Sequence, residues 1–128
     1  MTRTSLQCRE CKKEYATAFK YVCDDCFGRL DVKYNFPTMT KDMFANREQT
    51  YWRYFELLPI ENKSNIVSID AGMTPLVKAE NLGKKLGLNN LYIKNDSVNP
   101  TFSFKDRPAG VAISKAKELG LTAVGCAS

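Results

Sequence analysis

Two groups of residues in this chain could do chemistry. The first is a pair of C-x-x-C steps, Cys8-Arg9-Glu10-Cys11 and Cys23-Asp24-Asp25-Cys26, separated by eleven residues. Each step sets two thiolates close enough to share one cation, and two steps complete a tetrahedral four-sulfur site of the kind zinc takes. The second is Lys105, inside the run N-P-T-F-S-F-K-D-R-P-A-G from Asn99 to Gly110. It follows a predicted strand and a turn, and it opens a predicted helix. The helix dipole and any desolvation by Phe102 and Phe104 would favour the uncharged amine that a nucleophilic lysine needs. An ordinary surface lysine paired with Asp106 fits the position at least as well.

The cysteines need a frame that brings the two steps together. Residues 15–22 (Y-A-T-A-F-K-Y-V) read as strand within a tight hairpin, and residues 30–34 alternate like a last short strand. Residues 1–34 are therefore expected to form a zinc-ribbon-like module. So short a module has too little core to fold unaided, and a structural zinc on Cys8, Cys11, Cys23 and Cys26 would supply most of its stability. Four thiolates leave no open coordination position and the chain has no histidine, which argues against a catalytic metal. Cys126 reads as a small buried apolar residue.

Residues 35–65 read as a linking helical segment. Thr38 or Thr40 would cap a helix whose Met43, Phe44, Tyr51, Trp52, Phe55 and Leu58 share an apolar face, and Pro59 would end it. From 66 to 128 the pattern is strand (66–69), turn (72–75), helix (78–86, closed by Gly87), strand (91–94), helix (104–119, stopped by Gly120) and strand (122–126). In the second helix Val111, Ala112, Lys115 and Leu119 would face a sheet. This alternation predicts an α/β fold with a parallel sheet and crossover helices. Three strands make a poor core, so the chain is expected to be the N-terminal piece of a longer protein.

Composition narrows the classes. The chain has 128 residues, 44% hydrophobic and 26% charged, with a net charge of +5 spread without long basic runs. No stretch approaches the roughly 18–20 apolar residues of a membrane span, and no apolar segment follows the N-terminal charge as in a secretory signal. Cysteines in metal-type spacing suit a reducing cytoplasm. The ribbon, the net charge and the aromatics between Phe44 and Phe55 keep a nucleic-acid-binding ribbon protein as an alternative of a different class.

The run from Asn99 to Arg107 resembles the lysine signature N-P-T-x-S-F-K-D-R of the pyridoxal-phosphate-dependent enzymes of fold type II, the tryptophan-synthase-β-like family. Gly72 to Leu76 (G-M-T-P-L) resembles that family's G-x-T-P-L turn, and residues 92–94 (Y-I-K) its strand before the lysine loop. Residues 52–59 (W-R-Y-F-E-L-L-P) and 23–34 (C-D-D-C-F-G-R-L-D-V-K-Y) are similar to segments of the branch that forms threonine. Where the family often has an acidic residue directly after the strand lysine, this chain has Asn95 before Asp96. The resemblance implies the first part of the family's parallel α/β sheet over 66–128, and Lys105 as the Schiff-base lysine that holds pyridoxal 5'-phosphate and then moves protons. It implies that Phe104 borders the cofactor and that Ser103 and Ser128 serve the substrate. The implied reaction turns O-phosphohomoserine and water into threonine and phosphate, with no nucleic-acid or membrane partner and a homodimer as the assembly. The rival within the family is an enzyme acting on O-phosphoserine, such as a cysteate synthase.

Overall fold

The structure, a computed structural model, describes residues 3–125. It is a mixed α/β chain with two small sheets, and among the described residues both are antiparallel.

The first sheet frames the cysteines. Strand β1 (Thr4–Cys8) lies between β2 (Glu14–Tyr15) and β3 (Leu30–Tyr34), with Leu6 opposite both Tyr15 and Val32. Thr4, Leu6 and Cys8 are buried while Ser5 and Gln7 are not, the period-two alternation of a strand with one covered face. Strand is absent from most of 16–22, where only an isolated bridge joins Val22 to Arg29. The frame is thus three strands wide with β1 at its centre, in place of the expected hairpin over 15–22.

The linking segment is not one helix. A single α turn, α1 (Asp42–Ala45), is followed by polar residues 46–50 and a 3-10 helix over Tyr51–Leu57 that kinks at Tyr54. The break has a cause in the arginines. Arg47 forks onto Glu56 at 2.6 and 2.9 Å and also donates to the Arg53 carbonyl, while Arg53 donates to the Phe44 carbonyl. Backbone carbonyls that a continuous helix would use internally are taken by guanidinium groups. Of the predicted stripe only Phe55 is buried; Ile60, beyond its end, is fully buried.

The second sheet is a hairpin with a helix inserted in it. Strand β4 (Leu76–Lys78) pairs with β5 (Tyr92–Lys94), and helix α2 (Glu80–Leu86) lies between them in sequence. The ladder is continued at one end by Asn95 N–H to the Pro75 carbonyl and at the other by Ala79 N–H to the Leu91 carbonyl, both 2.9 Å. These bonds extend an antiparallel pairing whose first strand, β4, the alternation does not predict. Helix α2 does end at Gly87, in the left-handed conformation (φ +68°) that suits a C-terminal glycine.

Helix α3 (Asp106–Glu118) is the longest element, with Gly120 at φ +73° beyond its end. Its buried positions are Asp106, Gly110, Ser114 and Ala116; Ala112 is exposed. The helix turns small residues, and not the Val111–Ala112–Lys115–Leu119 face, inward. Residues 66–69 lie against them without forming a strand, because Val67 N–H donates to Ser114 Oγ (2.9 Å) and not to a neighbouring strand. Ile69 stands where a side chain on Gly110 would be, at 3.5 Å. Residues 122–125 are likewise irregular, and Cys126 and Ser128 lie outside the described residues.

Accessible surface is 9161 Å² for a 14.5 kDa chain, against roughly 6,900 Å² expected of a compact monomer of that mass. Part of the excess lies on β4, α2 and β5, where Leu76, Val77, Leu82, Leu86, Tyr92 and Ile93 are all 45% exposed or more.

Candidate functional sites

The four cysteines converge. All four Sγ atoms lie within 4.8 Å of one another, with Cys8–Cys26 at 3.4 Å and Cys11–Cys23 at 3.5 Å. Zinc–sulfur bonds of about 2.3 Å in a tetrahedron require edges of about 3.8 Å, so the cluster has the size and donor set of a four-thiolate metal site. The two steps are built alike. Lys12 N–H donates to the Cys8 carbonyl and Phe27 N–H to the Cys23 carbonyl (3.2 and 3.1 Å). Cys8 N–H donates to the Lys13 carbonyl and Cys23 N–H to the Gly28 carbonyl (2.9 and 2.8 Å). Lys12 and Phe27, the residues after each second cysteine, both take left-handed backbone (φ +64° and +56°). Each step is one tight turn, present twice.

Two residues outside the four ligands support the cluster. The Tyr15 hydroxyl donates to Cys23 Sγ at 3.1 Å and accepts the Asp24 N–H at 3.1 Å. Its hydrogen bond holds the Cys23 thiol down to about 6, and the same contact pushes the Tyr15 hydroxyl up to about 12. Gly28 is the other: a Cβ there would meet Cys8 Sγ at 2.9 Å. Tyr15 is missed from sequence because it reads only as a strand residue, and Gly28 because its constraint is spatial.

Lys105 stands on an arch. Residues 99–106 rise from the end of the 3-10 turn Asp96–Val98 and descend into α3, with Lys105 as the residue immediately ahead of that helix. The inner side of the arch is polar and buried. Asn99, 2% exposed, accepts the Gly72 N–H on Oδ1 and donates from Nδ2 to the Asp96 carbonyl, both at 3.0 Å. Asp106, 4% exposed, accepts from the Thr101 N–H (2.8 Å) and hydroxyl (2.5 Å). That carboxylate is therefore committed inside the arch. Arg107 clamps Asp96 through Nε (2.8 Å) and Nη2 (2.7 Å), and Thr74 Oγ1 donates to the same carboxylate at 2.6 Å. Arg107, and after it Thr74, hold the Asp96 carboxyl well below the usual carboxylate range.

The outer side carries the predicted functional residues. Phe102, Phe104 and Lys105 are exposed, and Ser103 is half-buried with its Oγ accepting the Lys105 N–H at 3.2 Å. Phe102 and Phe104 are 81% and 63% exposed. Ser103, Phe104 and Lys105 come together on one crest, and the cysteine cluster is separate from it. The residues that fix the crest, Thr74, Asp96, Asn99, Asp106 and Arg107, are missed from sequence reasoning as site residues. Their signal was an excess of small polar and charged residues between two apolar strands and a helix.

Comparison with known proteins gives a consistent result. Residues 67–128 match the family model described as pyridoxal-phosphate dependent enzyme. The chain is 42% identical over 127 residues to a threonine synthase of Methanocaldococcus jannaschii, covering 95% of this chain and 31% of that protein. It is 42% identical over 126 residues to a threonine synthase of Methanosarcina acetivorans, covering 96% and 31%. A threonine synthase of Synechocystis is 44% identical over 81 residues, covering 62% of this chain and 20% of the relative. The chain thus spans about a third of the length of the archaeal relatives that it matches. No solved structure matches it. On these matches residues 67–128 are similar to the pyridoxal-phosphate dependent enzyme family, and the chain that carries them is similar to threonine synthases along nearly all of its length.

Proposed function

We propose that this chain is the N-terminal part of a threonine synthase, a lyase-type enzyme that converts O-phosphohomoserine and water into threonine and phosphate. The observation that carries the reading is the 42% identity to threonine synthases over 95% of the chain. The arch supports it, because an exposed primary amine on a rigidly braced crest suits covalent attachment of an aldehyde cofactor. Lys105 would hold pyridoxal phosphate there, with Phe104 bordering it. When bound, that group supplies an electron sink for charge developing at the substrate's α and β carbons. Lys105 is then placed to take and return protons at those carbons, and Ser103 keeps its hydroxyl proton to donate to substrate while its oxygen holds the arch. Ser128 would serve the substrate carboxylate.

The larger fold in this reading is the parallel α/β sheet of fold type II, with the exposed apolar faces of β4, α2 and β5 as its inner surfaces. The cysteine module would hold a structural zinc, and the assembled protein would be a cytoplasmic homodimer.

The test uses protein expressed from the whole reading frame, assayed for phosphate release from O-phosphohomoserine and O-phosphoserine side by side. Turnover of the first, with a visible cofactor band, is the expected result. Lys105→Ala should abolish the band and lower kcat by at least about 10²–10⁴-fold, the range a positioned base contributes. Turnover of O-phosphoserine alone would replace the proposed substrate. Absence of cofactor together with salt-sensitive nucleic-acid binding would replace the enzyme reading.

A further inference from the structure

We propose that Asp96 and Arg107, bridged by Thr74, form a positioning lock that sets where the Lys105 amine stands. The proposal rests on the reading of Lys105 given above and deepens it, by naming what holds that lysine in register. Arg107 lies two residues after Lys105, in the first turn of α3, and Asp96 lies three residues before Asn99, where the arch begins. The pair therefore closes the base of the arch, joining its two feet. It does so with both Nε and Nη2 on the two carboxylate oxygens, a planar fork that fixes angle as well as distance. Thr74 adds a third side, donating to Asp96 and accepting from Arg107 Nη2 at 3.1 Å, and Lys94 donates to the Thr74 carbonyl.

A second, independent observation points the same way. Three non-glycine residues bordering this clasp have left-handed backbone: Asp70 (φ +53°), Met73 (φ +47°) and Phe102 (φ +57°). Such backbone is disfavoured for residues that carry a Cβ, and it persists where the surroundings over-determine it. Gly72, between two of them at φ +88°, is closely packed: a Cβ there would lie 3.0 Å from Tyr51 and 3.2 Å from Arg107 Nη1. The strained loop 70–73 is thus pressed on the same guanidinium that closes the arch, and Asn99 pins its Gly72 N–H from the other side. An ion pair that only decorated the surface would need neither the fork nor the strained neighbours. A displacement of the amine by about 1 Å is enough to cost a reaction on the order of a hundredfold.

The test compares Asp96→Asn and Arg107→Lys with Ile60→Val, a control that destabilises the fully buried core away from the arch. Three quantities are read in the whole protein: the rate of borohydride-trapped labelling of Lys105 by pyridoxal phosphate, amide exchange over residues 101–107, and kcat against KM. Asp96→Asn is expected to slow labelling on the order of tenfold, speed exchange in the arch and lower kcat more than it raises KM, with Arg107→Lys intermediate and the control unchanged. Labelling within about twofold of the unsubstituted protein in both variants, or an equal loss in the control, overturns the lock. If the unsubstituted protein takes no pyridoxal phosphate, the enzyme reading fails by itself. The lock is then decided by arch exchange and by acylation of the Lys105 amine, where an unchanged rate in Asp96→Asn overturns it and a changed one supports it.

Discussion

The cysteine module and the lysine arch solve the problem of holding a reactive group in opposite ways. The module draws all its ligands and its supporting hydroxyl from residues 8–28, and it does so by using one six-residue turn twice. The arch draws on three stretches, 72–74, 94–99 and 101–107. In the module the reactive groups converge on one another, with Cys8 and Cys23 fully buried and Cys11 and Cys26 exposed. In the arch the hydrogen-bonding residues point inward and the reactive ones face out. A site that closes on a metal needs only itself. One that must meet a cofactor and a substrate spends its buried polar groups on keeping its own backbone still.

That contrast can be broken most severely at a ligand. Cys8→Ser should empty the cluster of metal and unfold residues 3–34, since a structural zinc contributes on the order of 10 kcal/mol to folding such a module. Metal analysis and amide exchange would check it, with exchange over 99–107 expected to change little. Equal loss in both regions would mean that the two are not separable.

The junction gives a smaller effect. The Glu61 carboxylate accepts from the Thr4 hydroxyl (2.9 Å) and the Arg3 N–H (3.3 Å), while its own N–H donates to Glu118 of α3 (3.0 Å). Burial pushes Glu61 up, but Thr4 and Arg3 together bring it below its ordinary value; for Glu118, burial is likewise outweighed, by Lys115 and the Asn62 N–H. A carboxylate lowered on folding contributes stability that is complete above its unfolded value, about pH 4.3, and is lost as pH falls through the folded value. Glu61→Gln should therefore cost about 1 kcal/mol at neutral pH and flatten part of the acid limb of a stability–pH curve. An unchanged acid limb would show that β1 docks without that carboxylate.

At the turns the effect is smallest and favourable. Lys12→Gly and Phe27→Gly should each relieve left-handed strain, offset by glycine's greater freedom when unfolded, for a net gain of no more than about 1 kcal/mol in thermal melts. Similar gains at both positions would sharpen the reading of the two steps as one turn repeated.

How much of this was legible beforehand follows from which interactions are local. The C-x-x-C steps and the left-handed Gly87 and Gly120 ends depend on near neighbours, and the strand at 30–34 carries its own alternation, so their residues announce them. Strand Thr4–Cys8 was missed although Thr4, Leu6 and Cys8 alternate, because five residues at a terminus carry little pattern. The linking helix was overcalled because its stripe of aromatics does not reveal that Arg47 and Arg53 will capture the carbonyls. The antiparallel pairing of β4 with β5 was not legible because strand direction is set by which edges meet, and the βα alternation states only the order. At the arch the lysine was legible and its supports were not. Asp96 and Arg107 lie eleven positions apart, and nothing but the folded path brings them together.

Glu61 also bears on the order in which the chain assembles. The cysteine cluster closes over 18 residues, from Cys8 to Cys26, whereas the contact of Thr4 with Glu61 closes over 57. The longer loop costs only about 1 kcal/mol more in closure entropy, but it needs a stretch of chain made later. On a ribosome the four sulfurs can therefore draw together before residue 61 is free to pack. Strand β1 then arrives as a finished edge for Glu61 to latch.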